Sequence, residues 1–207
     1  RGEAAPGPLT PPAACAALLR GGEPLRGDNP RIHKPNFFVF TGGGGTGKTA
    51  LIRHLQAIGE LVVEENIRAV IREQAETGGR GVPWIDPKAC CDLTTARDIA
   101  DFDRLAGESR RVFFDRGIID MYEANGVPPS PALIEAARTR RYNATVFVFP
   151  AWREIYVTDD ERREEWSRMQ GVFEETLRTL PTLGYEPVVV PKGSVEERAA
   201  FVLARAR

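Results

Sequence analysis

Gly42, Gly47, Lys48 and Thr49 stand at the spacing G-x-x-x-x-G-K-[ST], directly after the apolar run Phe37-Phe38-Val39-Phe40. A polyphosphate wrapped by successive backbone N–H groups needs residues without Cβ where the chain passes closest. Gly42, Gly43, Gly44, Gly45 and Gly47 supply them, with Thr46 between. A helix starting near Gly47 would turn its first N–H groups, through Ala50, and its positive dipole end toward the same anion. Lys48 would reach the β and γ phosphates, and the Thr49 hydroxyl would take Mg²⁺. The chain has only four lysines, Lys34, Lys48, Lys88 and Lys192, so a lysine in this slot is not background. A plain flexible glycine loop is the competing reading, and strand, loop and helix in this order argue against it.

Other residues extend the chemistry. Val112-Phe113-Phe114-Asp115 is an apolar strand ending in a carboxylate, placed to hold Mg²⁺ beside the loop, and Arg116 follows to pair with phosphate. Glu64 and Glu65 end the run Leu61-Val62-Val63, with Arg68 a helical turn further on. Glu65 would accept a proton from an attacking hydroxyl, or else merely favour a helix N-terminus. The segment Pro150 to Arg163 has the place of a lid, with Arg153, Arg162 and Arg163 available to stabilise charge on a transferring phosphoryl group. Alternatively it is a solvated helix laced with Arg–Glu pairs. Trp84, Trp152 and Trp166 could stack on a base or fill the core. Asp98, Asp101 and Asp103, with Arg97 and Arg104, mark either a substrate-facing helix or its wet face.

These residues need elements that bring them to one edge. From Asn36 onward strands and helices alternate, which predicts an α/β domain with a parallel sheet covered on both faces. The strands fall at Phe37–Phe40, Leu61–Val63, Val112–Asp115, Thr145–Phe149 and Val188–Val190. Helices are expected after Gly47, over Glu65–Glu76, Thr94–Leu105 and Asp160–Leu180, and over Ser194–Arg205, where Ser194 and Glu197 form a capping box. Such sheets bind ligands at the carboxyl ends of their strands, where the candidate residues lie. Residues 1–35 carry seven prolines and read as an extended arm with a short helix over Ala13–Arg20, leaving 36–207 as the domain.

Composition narrows the classes. At 207 residues and 42% hydrophobic, the chain can bury one sizeable core. A net charge of −1 argues against a nucleic-acid binder held by a basic face, while leaving room for a local patch. Three cysteines, Cys15, Cys90 and Cys91, have no metal-ligand spacing and suit a reducing cytoplasm. His33 and His54 suggest no metal site, and no run approaches the roughly 18 apolar residues of a membrane span.

Together these motifs resemble those of small AAA-type ATPases of the P-loop NTPase class, related to the ribosylnicotinamide kinase domain and the deoxynucleoside and nucleotide kinases. The resemblance rests on G-G-x-G-x-G-K-T at Gly42 to Thr49, E-x-x-R at Glu65 and Arg68, and D-R-G-x-x-D from Asp115 to Asp120 with Tyr122 behind it. It continues through P-x-W-x-x-x-Y-x-x-D-x-x-R from Pro150 to Arg162, Gly184-Tyr185, and the run Val190 to Arg198. It implies a three-layer fold with a five-stranded sheet of kinase-like order and a small lid, and ATP with Mg²⁺ as donor. Glu65 would lie near the acceptor hydroxyl, Arg162 in the lid, and Pro191 against the adenine. Glu65, Arg68, Asp98 and Asp120 would form the acceptor side. Gly44 departs from the proline of many relatives, and Asp98 stands where a substrate-binding glutamine is expected.

Two functions follow. One is an ATP-dependent kinase acting on a hydroxyl of a small molecule, nucleoside-like or a specialised metabolite. The other is a switch-type ATPase that binds ATP, hydrolyses it slowly and engages a protein. A GTPase is disfavoured, because no N-K-x-D or T-K-x-D sequence is present to read guanine.

Overall fold

The computed structural model describes residues 32–120, 127–156 and 166–207. The expected helix over Ala13–Arg20, Cys15, Tyr122, Arg162 and Arg163 lie outside them. Strands β2 (Phe37–Thr41), β3 (Leu61–Val63), β4 (Val112–Asp115), β6 (Thr145–Val148) and β7 (Glu186–Val189) form one parallel sheet in the order β3-β4-β2-β6-β7. Six helices are described: α1 (Lys48–Ala57), α2 (Asn66–Thr77), α3 (Pro87–Arg104), α4 (Pro131–Thr139), α5 (Trp166–Thr182) and α6 (Val195–Arg205). A two-residue strand β1 (Ile32–His33) pairs in parallel with β5 (Arg140–Arg141).

The three layers follow from the period of β2. Its side chains point alternately to the two sheet faces. Phe37 and Val39 join Phe102 of α3, Leu133 and Ala136 of α4 and Leu177 of α5 on one face. Phe38 and Phe40 join Leu51, Ile52 and Leu55 of α1 and Ala199 and Val202 of α6 on the other. A strand buried on both sides has no polar face to show, which is why the central strands read as unbroken apolar runs.

Four of the five strands begin where the sequence places them; the edge strand does not. Glu186 N–H donates to Ala144 O at 2.7 Å, so β7 starts two residues before the expected Val188. Pro187 is tolerated in a strand at the sheet edge, where no ladder hydrogen bond is lost. Helix α3 starts at Pro87, not Thr94, because Asp86 caps it: its Oδ1 accepts from Ala89 N–H at 2.9 Å with Pro at the first turn. Helix α4 was not expected; Ser130 caps it and Pro131 opens it. Lys34, in the arm of the sequence reading, is tied to the domain by its Nζ, which donates to Ala106 O (2.9 Å) and Glu108 O (2.7 Å). Among the described residues no helix is long and apolar enough to cross a membrane.

Phe40 is fully buried one residue before the loop, its ring 5.5 Å from Phe113, 5.6 Å from Phe147 and 5.3 Å from Phe149. Phe40→Ala should therefore destabilise the fold by about 3–5 kcal/mol, read as a lowered urea midpoint with an unchanged slope. A loss below about 1 kcal/mol would show that the ring cluster repacks.

Candidate active site

Register delivers the first two groups. In β2–β4, Phe40 pairs with Asp115, so the carboxylate at the tip of β4 stands beside the start of the loop after β2. Gly42 and Gly47 have positive φ (121° and 81°), and a Cβ on Gly42 would lie 2.5 Å from Phe149 O. Both positions thus require glycine for the loop to bend between β2 and α1. Helices α3, α4 and α6 carry side-chain N-caps; α1, which begins at left-handed Gly47, and α2 have none. The first amides of α1 are left for an anion.

Lys48 curls back under this loop. Its buried Nζ donates to Gly43 O (2.7 Å) and Gly42 O (3.0 Å), and more weakly to Thr46 Oγ1 (3.4 Å). Burial, then the nearby Arg116 guanidinium, brings its pKa down to about 8 despite the pull of Asp115. Thr49 Oγ1 donates to Asp115 Oδ2 at 3.1 Å, while Asp115 Oδ1 is buried without a hydrogen-bond partner. Burial raises the Asp115 pKa. A hydroxyl and an unpartnered carboxylate oxygen suit a magnesium ion that takes its other ligands from phosphate and water. Ala50 is exposed on the first turn of α1.

Arg116 ties the loop to Glu65 and Asp120. It has φ of 69°, a left-handed backbone taken by no other non-glycine among the described residues. Its backbone N–H donates to Phe40 O at 2.9 Å. Its Nη2 donates to Gly42 O (3.0 Å), its Nε to Glu65 Oε1 (2.5 Å) and its Nη1 to Asp120 Oδ1 (3.3 Å). Glu65 precedes α2 but its side chain makes no capping bond; its Oε2 accepts from Arg68 Nε at 2.8 Å instead. Burial alone would raise the Glu65 pKa, but Arg116 and Lys48 outweigh it and hold the carboxyl at about 2. Asp120, also joined by Thr41 Oγ1 and by Gly117 N–H at 3.1 Å, has its pKa raised by burial.

Asp98 sits behind this group. Asn66 Nδ2 donates to Asp98 Oδ1 and Asp101 Oδ2, both at 2.9 Å, and Asp98 Oδ2 is buried without a partner. Burial first, then Asp120 and Asp101, pushes the Asp98 pKa up to about 7 against the Asn66 hydrogen bond.

The loop is covered from the β6 side. After β6 the chain makes a short 3-10 turn (Arg153–Ile155), and a Cβ on Gly45 would lie 2.8 Å from the Tyr156 ring. Gly44 N–H donates to Met169 Sδ of α5 at 3.2 Å. Trp166 meets Tyr156 edge to face at 5.4 Å, and the guanidinium of Arg153 lies 5.3 Å from the Trp166 ring. Trp152 lies by Arg198 and Trp166 by Tyr156, both partly buried, and Trp84 is half exposed, so none of the three tryptophans fills the core. Arg198 of α6 donates to Gly47 O (3.2 Å) and lies over Trp152 (5.4 Å). Pro191 is exposed on the turn between β7 and α6. The structure thus gathers Gly42–Thr49, Glu65, Arg68, Asp115, Arg116 and Asp120, with Asp98 adjoining through Asn66. Met169, Asn66 and Arg198 have no role in the sequence reading; only Arg198 carried a signal, as the end of the motif run from Val190.

A parallel sheet with this order, a glycine loop leading into α1 and an acid on the neighbouring strand define a P-loop fold of the nucleoside and nucleotide kinase type. The chain belongs to the AAA domain family, whose model matches residues 37–198. Among curated proteins no sequence matches it. Solved structures share the fold at low identity. Shikimate kinase from Acinetobacter baumannii, in complex with shikimate, has a TM-score of 0.50 at 16% identity, covering 83% of this chain and 92% of that one. Deoxyadenosine kinase from M. mycoides gives 0.54 at 12%, with coverage of 82% and 97%. Thymidylate kinase from Ehrlichia chaffeensis gives 0.51 at 17%, with coverage of 82% and 96%.

The Asp98 environment sets a pH test. A carboxyl with folded pKa near 7 binds more protons folded than unfolded between about pH 4 and 7, so its contribution to stability falls as pH rises through that window. Asp98→Asn carries no such charge. Its melting temperature should gain on the wild type progressively from pH 5 to pH 8; a difference independent of pH would show that Asp98 keeps an ordinary pKa.

Proposed function

We propose that this protein is a kinase that moves the γ-phosphoryl group of Mg-ATP to a hydroxyl of a small molecule, nucleoside-like or a specialised metabolite. The observation that carries the reading is Arg116, whose guanidinium bridges the phosphate loop at Gly42 and the carboxylate of Glu65. Donor loop and acceptor acid are thereby fixed relative to each other, which is the positioning that phosphoryl transfer demands. Polar side chains hold both acids, Arg68 and Arg116 at Glu65 and Asn66 at Asp98, which favours an acceptor of hydrogen-bonding character.

In this reading the loop amides and Lys48 bind the β and γ phosphates, while Thr49 and Asp115 hold Mg²⁺, which neutralises phosphate charge. Glu65, ionised at neutral pH by its arginines, accepts the hydrogen bond of the acceptor hydroxyl and then its proton. Arg68, Asp98 and Asp120 orient the acceptor, Arg116 and Arg162 stabilise charge on the transferring group, and Pro191 flanks the adenine. The cations Arg116 and Lys48 that keep Glu65 ionised also weaken it as a base.

The test is ADP release from Mg-ATP with a panel of nucleosides, sugars and metabolite extracts, with mass analysis of the products. An acceptor that stimulates turnover and emerges heavier by one phosphoryl group is expected. Glu65→Gln should lower that transfer by roughly 10²–10⁴-fold with ATP affinity nearly intact. Tight ATP binding with slow hydrolysis across the whole panel would instead support the switch-type ATPase and direct attention to protein partners.

A further inference from the structure

Lys48 and Arg198 are the two cations that the described residues bury. The first is accounted for by the phosphate loop. Arg198, 4% exposed, is not. Its Nη1 donates to Gly47 O at 3.2 Å and its Nε to Ser194 O at 3.3 Å. Both carbonyls already have helical partners, since Leu51 N–H donates to Gly47 O (3.2 Å) and Arg198 N–H to Ser194 O (3.1 Å). The guanidinium therefore rescues no orphan acceptor. Nor does it have a counter-ion: among the described residues no carboxylate pairs with it, and the attraction of the exposed Glu196 does not offset its burial. Arg116, by contrast, is balanced by Glu65 and Asp120.

A buried charge with no counter-ion among the described residues is costly to the folded chain, and two carbonyls that already have partners are a poor reason to keep it there. Its position gives a better one. Lys48 lies on the Gly42 and Gly43 side of the loop; Arg198 lies at the opposite end, where α1 begins. A Cβ on Gly47 would come within 2.6 Å of Nη1 and 3.3 Å of Nη2, so both nitrogens lie at the loop surface. Arg198 is four residues after Ser194, so it stands between the start of α1 and the turn from β7, with the Trp152 ring centroid 5.4 Å from its guanidinium. A polyphosphate whose β and γ groups meet Lys48 would extend its α-phosphate toward this end, where the first amides of α1 lie.

We infer that Arg198 is a nucleotide-binding residue that supplies positive charge to the α-phosphate end of a polyphosphate seated in the loop. The inference rests on the nucleotide-binding reading above. Mg-ATP and inorganic tripolyphosphate are titrated calorimetrically into the full chain, its Arg198→Met, Arg198→Lys and Lys48→Ala variants, and each is melted without ligand. Met keeps the packing on Trp152 and removes the charge. Arg198→Met should melt no lower than the wild type yet bind both ligands at least 10-fold more weakly, and Arg198→Lys should restore part of that loss. Unchanged affinities in Arg198→Met, with binding abolished in Lys48→Ala, would overturn the role of Arg198 and leave the nucleotide site standing. A melting temperature lowered in Arg198→Met without loss of affinity would make the arginine structural. Wild-type protein that binds neither ligand would overturn both readings.

Discussion

An ammonium group buried beneath a loop of glycines has to be surrounded by compensating dipoles and charges, and much of this molecule is arranged around that requirement. Lys48 rests on the carbonyls of Gly42 and Gly43, with Asp115, Glu65 and Asp120 near enough to draw its pKa upward against burial and Arg116. Those acids come from three places: the tip of β4, the entry to α2 and the turn after β4. Arg116 links two of them to the loop, at the expense of a left-handed backbone that a non-glycine residue adopts only with strain. A doubly covered parallel sheet is what lets these charges meet, because its strands end together at one edge.

The parts of this arrangement fixed by local chemistry were legible in the amino-acid sequence. The loop residues, the apolar strands and the acid ending Val112–Asp115 each have a pattern that follows from what backbone, sheet or phosphate demands. What escaped depended on partners distant in sequence. The extra turns of α3 rest on an Asp86 cap that an irregular loop hides, and α4 begins at a Ser-Pro pair that also reads as a turn. The start of β7 was set by pairing with the chain before β6, through an edge that accepts Pro187. Met169 and Arg198 lie against the loop from helices more than a hundred residues away, and no spacing rule announces a thioether on Gly44 N–H.

Glu65 illustrates how contacts change the meaning of a residue type. As a letter after a strand it could be a base or a helix-favouring acid. Held between Arg68 and Arg116 it makes no cap, and its ionisation is secured at neutral pH. Asp98, a short distance behind, has the opposite character, a carboxyl that burial keeps close to neutrality. Two acids with opposed environments on one side of a phosphate loop give that side both an acceptor of hydrogen bonds and a group able to donate one.

A crystal structure with Mg²⁺ and a non-hydrolysable ATP analogue would decide whether the loop is a nucleotide site. The triphosphate is expected inside the Gly42–Thr49 loop, with Lys48 Nζ drawn from the Gly42 and Gly43 carbonyls to the β and γ oxygens. Gly44 N–H would pass from the Met169 sulfur to a phosphate oxygen. An analogue bound elsewhere, with Lys48 still on those carbonyls and Met169 still on Gly44, would contradict that reading of the loop.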